Sequence, residues 1–513
     1  MRRHPHLLEI NTRLLLERLS LKYRRPMTLG TVPSEEWERL REQGFDMLWL
    51  MGVWQRSPGA RAVALSHGGL HQVLDETLPG WTDKDVAGSP YAIASYTLDP
   101  ELGRPEELPA LKKHLNYLGL RLILDFVPNH VALDHPWTAA HPDWFVHPKS
   151  EAAGAHPDWF FTTPSGHVIA HGRDPYFPPW TDTAQLNFFS PDLRTALTGE
   201  LIRVSELSDG LRCDMAMLGL NRVFDRVWTP FAANAGPLAQ EFWSEAISQV
   251  RRNKPDFIFL AEAYWDLEWP LHELGFDFTY DKRLYDRLRT ARPEDLHAHL
   301  SADAGYQNQC ARFIENHDEP RAVKAFGKAK SLAAAMIMAT VPGLRLYFDG
   351  QSRGRSIRIP VQLIREPAET TDPVIKMFYR ELLETVNDSC FHAGTWNLLK
   401  VFTDSADQGD PKSLFSWCWQ HGIEGHLVVV NFSEHSVKCR IDTGRGLAPG
   451  VKIIPQVSVS RIRAGEVDSH GRVPVELGPW GCFIARFRVL PRRGGPAPAA
   501  PLETLERKPA GAA

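Results

Sequence analysis

Four short segments set carboxylates, an arginine and histidines at or just beyond the ends of apolar runs: Leu124-Asp-Phe-Val-Pro-Asn-His130, Gly210-Leu-Arg-Cys-Asp-Met-Ala216, Phe259-Leu-Ala-Glu262 and Phe313-Ile-Glu-Asn-His-Asp318. If Gly210–Asp214 is a strand, alternation sends Arg212 and Asp214 to the same side. A guanidinium there favours the ionised carboxylate and keeps it a competent nucleophile. Glu262 directly follows the apolar run Phe257–Ala261, where poor solvation raises a carboxyl toward the range of a general acid. A carboxylate nucleophile, with a second carboxyl acting first as acid and then as base, is the pair that splits a glycosidic bond with retention. Asp318 is placed to bind and distort the sugar ring, and His317 and His130 to donate to its hydroxyls. Asp125 and Asn129 read as scaffolding, the first orienting Arg212 and the second tying down the adjacent loop.

Taken singly, each residue has a plainer reading. Arg212 and Asp214 would make an ion pair at a strand end. Glu262 would be a first-turn acid if Trp265-Asp-Leu-Glu268 starts a helix. A lone histidine is usually part of a packed interior. Four such endings in one chain favour the chemical reading, because a parallel β/α barrel presents its chemistry at the C-terminal ends of its strands.

The elements that would position these residues follow the same logic. Apolar, β-branched-rich runs alternate with amphipathic segments up to about residue 390, the pattern of repeated βα units. Eight strands are expected at Leu7–Ile10, Met47–Leu50, Leu122–Val127, Gly210–Asp214, Phe257–Ala261, Phe276–Tyr280, Ala311–Ile314 and Leu344–Tyr347. Helices fit between them at Ser34–Glu42, Glu106–Tyr117, Pro191–Glu206, Leu238–Arg252, Lys282–Leu288 and Leu332–Ala339. The fold class is therefore α/β, a TIM (β/α)8 barrel over 1–130 and 188–390. The stretch 131–187, rich in His, Pro, Trp and Phe, is too long for a simple loop and reads as a subdomain inserted after strand 3. The gap after Met51 is also long, running through Pro58-Gly59, Pro79-Gly80 and Gly88-Ser-Pro90. Short alternating runs over 391–490 predict a C-terminal antiparallel β-sandwich, and 491–513 a disordered tail. No internal repeat is expected.

Composition narrows the classes further. A formal net charge of −4 offers no electrostatic reason to expect nucleic acid or an anionic membrane as partner. No apolar run reaches the length of a membrane span, and Glu9 and Arg13 interrupt the N-terminus before a signal-type apolar stretch forms. Six cysteines without metal-ligand spacing argue against a disulfide framework or a zinc site and for a cytoplasmic location. Oligomeric state is not readable.

The four segments, in this order, resemble the α-amylase superfamily, glycoside hydrolase family 13. The resemblance implies an enzyme acting on α-linked glucose-containing saccharides by double displacement, with Asp214 as nucleophile, Glu262 as acid/base and Asp318 as transition-state stabiliser. Arg212, His130 and His317 are then sugar-binding partners. Ser89–Gly103 resembles the family's stretch after strand 2, which makes Tyr91 the candidate stacking tyrosine and Tyr96 its alternative. Ala184-Gln-Leu-Asn187 resembles the motif that closes the inserted subdomain. The chain departs from many members in carrying Met217-Leu218 instead of Lys-His, a pair that serves an acceptor subsite and calcium. No cofactor or metal is expected, and a calcium requirement is put in doubt. Trp265, beside Glu262, is a candidate for stacking on a small acceptor ring. Transglycosylase, trehalose-forming and sucrose- or phosphate-using reactions stay open beside hydrolysis. A non-catalytic sugar-binding barrel is the more distant alternative.

Overall fold

The computed structural model describes residues 1–489 apart from 238–239, 291, 404–409, 444–446 and 448. The tail expected to be disordered at 491–513 lies outside the described residues. Eight parallel strands close into a barrel: β1 (His6–Asn11), β2 (Met47–Met51), β3 (Arg121–Phe126), β4 (Gly210–Cys213), β5 (Ile258–Ala261), β6 (Phe278–Tyr280), β7 (Cys310–Arg312) and β8 (Leu344–Phe348). Each lies within two residues of the expected run. They are almost wholly buried, as strands covered on both faces must be.

Alternation divides their side chains between two apolar layers. Leu7, Met47, Trp49, Ile123, Ile258, Leu260 and Leu346 fill the barrel interior. Leu8, Leu48, Leu122, Leu124, Leu211 and Phe259 pack outward under the helices. Gly210 opens β4 because its neighbours leave no room: a Cβ there would lie 2.7 Å from the Ile258 carbonyl oxygen on β5.

The helical layer comprises α1 (Thr12–Tyr23), α2 (Ser34–Glu42), α3 (Glu107–Tyr117), α4 (Pro191–Glu206), α5 (Phe242–Asn253), α6 (Lys282–Thr290), α7 (Lys328–Thr340) and α8 (Pro373–Val386). Capping explains several starts. Ser190 accepts from the Leu193 amide and Asp372 from Val374 and Ile375, each just before a proline at the first helical position. The helix expected from Leu238 begins at Phe242, with residues 238–239 outside the described residues.

Two readings of the sequence need correction. The long gap after Met51 holds two helices, Pro58–Ser66 and Gly68–Thr77, and a strand, Trp54–Arg56, paired with Ile93–Leu98. Ser57 caps the first of these helices and Pro58 occupies its first position. The chain also does repeat itself. His-Pro-Asp-Trp-Phe occurs at 141–145 and at 156–160 and folds the same way twice. In both copies the proline starts a 3-10 turn. The histidine ring stacks on the tryptophan at 3.9 Å each time.

These turns belong to the inserted segment, which leaves the barrel after β3. Its strand His130–Ala132 pairs with Thr183–Gln185, closing the insertion on itself. The C-terminal part forms two antiparallel sheets of five and four strands. Trp419, on the strand Leu414–His421 of the larger sheet, reaches back to the barrel layer, its indole N–H donating to the Thr340 carbonyl at the end of α7 (2.6 Å). Leu427, Val429 and Phe483 instead face a separate apolar core shared with Val437, Ile441 and Val473 of the smaller sheet. Among the described residues no helix is long and apolar enough to cross a membrane.

Candidate active site

The barrel register sets the acidic residues level with one another. β4 pairs Cys213 with Ala261 of β5, and the ladder runs one step beyond the strands. The Asp214 amide donates to the Phe126 carbonyl (2.8 Å) and the Glu262 amide to the Cys213 carbonyl (3.0 Å). Asp214 and Glu262 therefore emerge side by side at the C-terminal end of the barrel.

Arg212 lies beneath both, with none of its surface exposed. Its Nη1 is 2.6 Å from Asp214 Oδ1 and its Nη2 is 2.7 Å from Glu262 Oε2. The guanidinium is boxed in by the rings of Trp49, Tyr91 and Tyr280, 5.1, 5.2 and 5.6 Å away. Asp125, expected to orient it, is 3.9 Å distant. It is held instead by the Trp49 indole N–H (3.1 Å) and the Gly52 amide (3.0 Å). Asp214 and Glu262 make the shortest contacts to the arginine, and its Nε donates to the Tyr280 hydroxyl (3.3 Å).

Glu262 accepts from two further donors, the Met215 amide and the Tyr264 hydroxyl, both at 2.7 Å. Met215 presents that amide from a left-handed conformation (φ 42°), which costs a non-glycine residue roughly 1–3 kcal/mol and is found where a site uses it. Burial is the main influence on the Glu262 carboxyl and pushes it up to about 7. Asp214 and Asp318 add to the rise, and Arg212 and the Met215 amide oppose it. Burial also raises Asp214 above the usual carboxylate range, with Arg212 working against it.

Asp318 shows the reverse. Its side chain is about half exposed, and His317 holds it well below the usual carboxylate range, helped by Arg212 and Arg358. His317 Nε2 is 3.1 Å from Asp318 Oδ2, and its Nδ1 donates to Glu9 Oε1 (2.6 Å). Against the cost of burial, the two carboxylates raise the imidazole to about 10. Tyr91 stacks on this ring, centroids 5.4 Å apart, with its hydroxyl 2.8 Å from Nε2. Tyr96 lies behind the site and exchanges hydrogen bonds with the Val127 backbone, so of the two tyrosines Tyr91 reaches the mouth. His130 packs on the Trp180 ring at 5.0 Å. Asn129 ties its loop to Gln185, accepting from and donating to that side chain.

Glu262 and Asp318 line a cleft of about 1060 Å³ whose far wall includes Phe177, Trp180, Tyr264 and Trp265. Trp265 stands in it on a left-handed backbone (φ 62°), with Tyr176 at its edge, 5.1 Å away. Asp266, equally left-handed, pairs with Arg283. Met217 and Leu218 are packed into the interior.

Sequence reasoning missed Glu9, which is fully buried within β1. Its signal was an acid at an inward position of an apolar strand. It also missed the cleft residues Phe177 and Trp180, because nothing local marks which aromatics of a long insertion turn toward the barrel, and the contact of the Tyr264 hydroxyl with Glu262.

The family model "Alpha amylase, catalytic domain" matches residues 38–373. Alpha-amylase 3 of Dictyoglomus thermophilum is 25% identical over 304 residues, 54% of this chain and 56% of that protein. An alpha-1,4-glucan:maltose-1-phosphate maltosyltransferase of Rhodospirillum rubrum is 30% identical over 262 residues, 50% of this chain and 31% of that one. The matched stretch thus spans about half the length, or less, of these curated relatives. Among solved structures, the maltogenic α-amylase AmyB of Thermotoga neapolitana superposes with a TM-score of 0.65 at 20% identity, covering 95% of this chain and 99% of its own. The family match begins inside α2, ends at the start of α8 and takes in every barrel strand but the first; on that extent the chain belongs to the α-amylase family.

Proposed function

We propose that this protein acts on α-glucosidic bonds of oligosaccharides or α-glucans with retention, through a covalent glucosyl–Asp214 intermediate. One observation carries the reading: a single buried guanidinium touches both Asp214 and Glu262, while the two carboxyls differ in surroundings. Asp214 takes its Oδ1 contact from the cation. Glu262, raised to about 7, is protonated in part at neutral pH and lines the cleft. That division suits a nucleophile and an acid/base. In the first step Asp214 attacks the anomeric carbon as Glu262 gives its proton to the leaving oxygen. In the second, Glu262 takes a proton from the acceptor, which displaces Asp214. Asp318, kept ionised by His317, stands where it can hold ring hydroxyls and offset positive charge at the anomeric carbon.

Transfer to a sugar is the second reading. The aromatic wall of Phe177, Trp180 and Trp265 supports it, since indole and phenyl faces favour a ring over water as acceptor. A binding protein would have no need of an acid and a nucleophile on one arginine. Six free cysteines support a reducing, cytoplasmic setting.

The test is an aryl α-glucoside followed by NMR. The α-anomer should appear first, and Asp214→Asn should abolish turnover while the fold is kept. Initial release of the β-anomer would overturn the mechanism. Incubation with maltose, maltotriose, trehalose, sucrose and glycogen, with and without phosphate, then separates hydrolysis from transfer by its products. Glu262→Gln should lose about 10²–10⁴-fold on unactivated substrates and much less on aryl glucosides, whose leaving groups need little protonation. Equal losses on both would remove Glu262 as the acid.

A further inference from the structure

Far from the cleft, where the chain passes from α8 into the C-terminal sheets, Asp388, Cys390 and His426 converge. Their ligand-type atoms, a carboxylate oxygen, the sulfur and an imidazole nitrogen, all lie within 4.8 Å of one another. Asp388 sits in the turn after α8 and Cys390 opens the short helix Cys390–Ala393 that follows, while His426 projects from the strand Glu424–Asn431 of the larger sheet. Cys390 is 1% exposed and His426 2%.

The histidine is the unusual member. Neither ring nitrogen has a hydrogen-bond partner, although buried imidazoles almost always satisfy at least one. Its Nε2 stands 3.5 Å from Asp388 Oδ1, too far for a good hydrogen bond. That separation matches two ligands of one ion: tetrahedral zinc, with Zn–N and Zn–O near 2.0–2.1 Å and Zn–S near 2.3 Å, sets its ligand atoms about 3.3–3.6 Å apart. The surroundings hold the set in place. The Cys390 amide donates to Asp388 Oδ1 (2.9 Å), fixing the carboxylate. The Phe391 ring lies 4.8 Å from the imidazole and restrains its plane. The Asp388 side chain keeps a quarter of its surface exposed, which gives an ion a way in.

We propose that Asp388, Cys390 and His426 form a zinc site that clamps the end of the barrel to the C-terminal sheets. Thiolate, imidazole and carboxylate together select zinc over calcium or magnesium, which want oxygen ligands only. The Glu424 carbonyl, 3.6 Å from the Cys390 sulfur, or a water completes the four. On binding, the Cys390 S–H bond breaks, the sulfur's electron pair goes to the metal and the proton goes to solvent. The ligands come from two parts of the fold, so the ion adds stability that grows with the logarithm of its free concentration. The local spacing rules applied to the sequence could not show this, because His426 is remote from Asp388-Ser-Cys390 in the chain.

The experiment uses the full chain without an affinity tag, stripped with chelator and titrated with Co²⁺. One equivalent should bind with a thiolate-to-cobalt charge-transfer band and the intense visible bands of tetrahedral cobalt. Zn²⁺ should bleach both and raise the melting temperature, and Ca²⁺ should do neither. Cys390→Ser and His426→Gln should lose the band. Asp388→Asn, which preserves shape, should weaken binding if the serine variant fails to fold. Absence of a thiolate band in the wild-type protein would overturn the proposal. So would its persistence in folded Cys390→Ser, or a melting temperature indifferent to Zn²⁺.

Discussion

Arg212 joins Glu262 to Asp214: one end of its guanidinium is 2.7 Å from Glu262 Oε2 and the other 2.6 Å from Asp214 Oδ1. Two carboxyls buried so close lose solvation, and a planar, permanently charged group reaching both opposes the rise that burial imposes on each. A lysine carries a single point charge and cannot span them. Arg212→Lys should therefore lower kcat/KM by about 10²–10³-fold, the usual cost of removing one preorganised electrostatic contact, in a protein whose circular dichroism is unchanged. A kcat/KM close to wild type would show that the bridge is only structural.

If Glu262 is the acid, its proton sets a pH limit. Its carboxyl is raised from 4.5 to about 7, and the acid must be protonated to act. Activity should fall as pH rises through about 7, on the basic limb of kcat/KM. The Tyr264 hydroxyl donates to Glu262 Oε1, which favours the charged carboxylate. Tyr264→Phe should move the basic limb to higher pH. A shift downward, or none, would mean that another group governs that limb.

His317 links pH to stability. Its imidazole is raised from 6.5 to about 10 by Asp318 and Glu9 against the cost of burial. A raised folded value stabilises fully below the unfolded one, and that contribution is lost as pH climbs through the folded value. His317→Gln should thus lower the melting temperature most below pH 6.5, with the deficit shrinking as pH approaches about 10. A deficit independent of pH between those limits would argue for packing alone.

Trp265 is committed to the cleft by a left-handed backbone and the Tyr176 edge. If it stacks on an acceptor ring, Trp265→Ala should raise KM for maltose and maltotriose with little change on an aryl glucoside in water. A gain of a few kcal/mol from buried aromatic area is about a tenfold effect or more. The same reading predicts higher kcat/KM on short oligosaccharides than on soluble starch. The reverse order, or unchanged oligosaccharide kinetics in the variant, would end it.

The barrel was legible in the amino-acid order because its signal is local. Each strand is a short apolar run, and Asp214 and Glu262 each come directly after the last residue of their strands. The alternation that sends Arg212 and Asp214 to one side needs only neighbours in the chain. Two local signals went unread: Ser57-Pro58, a capped helix start inside the long gap after Met51, and the repeated His-Pro-Asp-Trp-Phe. What tertiary structure alone decided involves residues distant in sequence. The closing of β8 onto β1 is what sets Glu9 against His317. The register between β4 and β5 gives Arg212 a second close carboxylate, with Asp125 a more distant partner at 3.9 Å. The segment after α8, packed on a strand of the C-terminal sheet, joins Asp388 and Cys390 to His426. Spacing along a chain records only what lies within a turn or a strand. Which buried charges meet depends on how whole strands and sheets are laid beside one another, and no short run of residues carries that information.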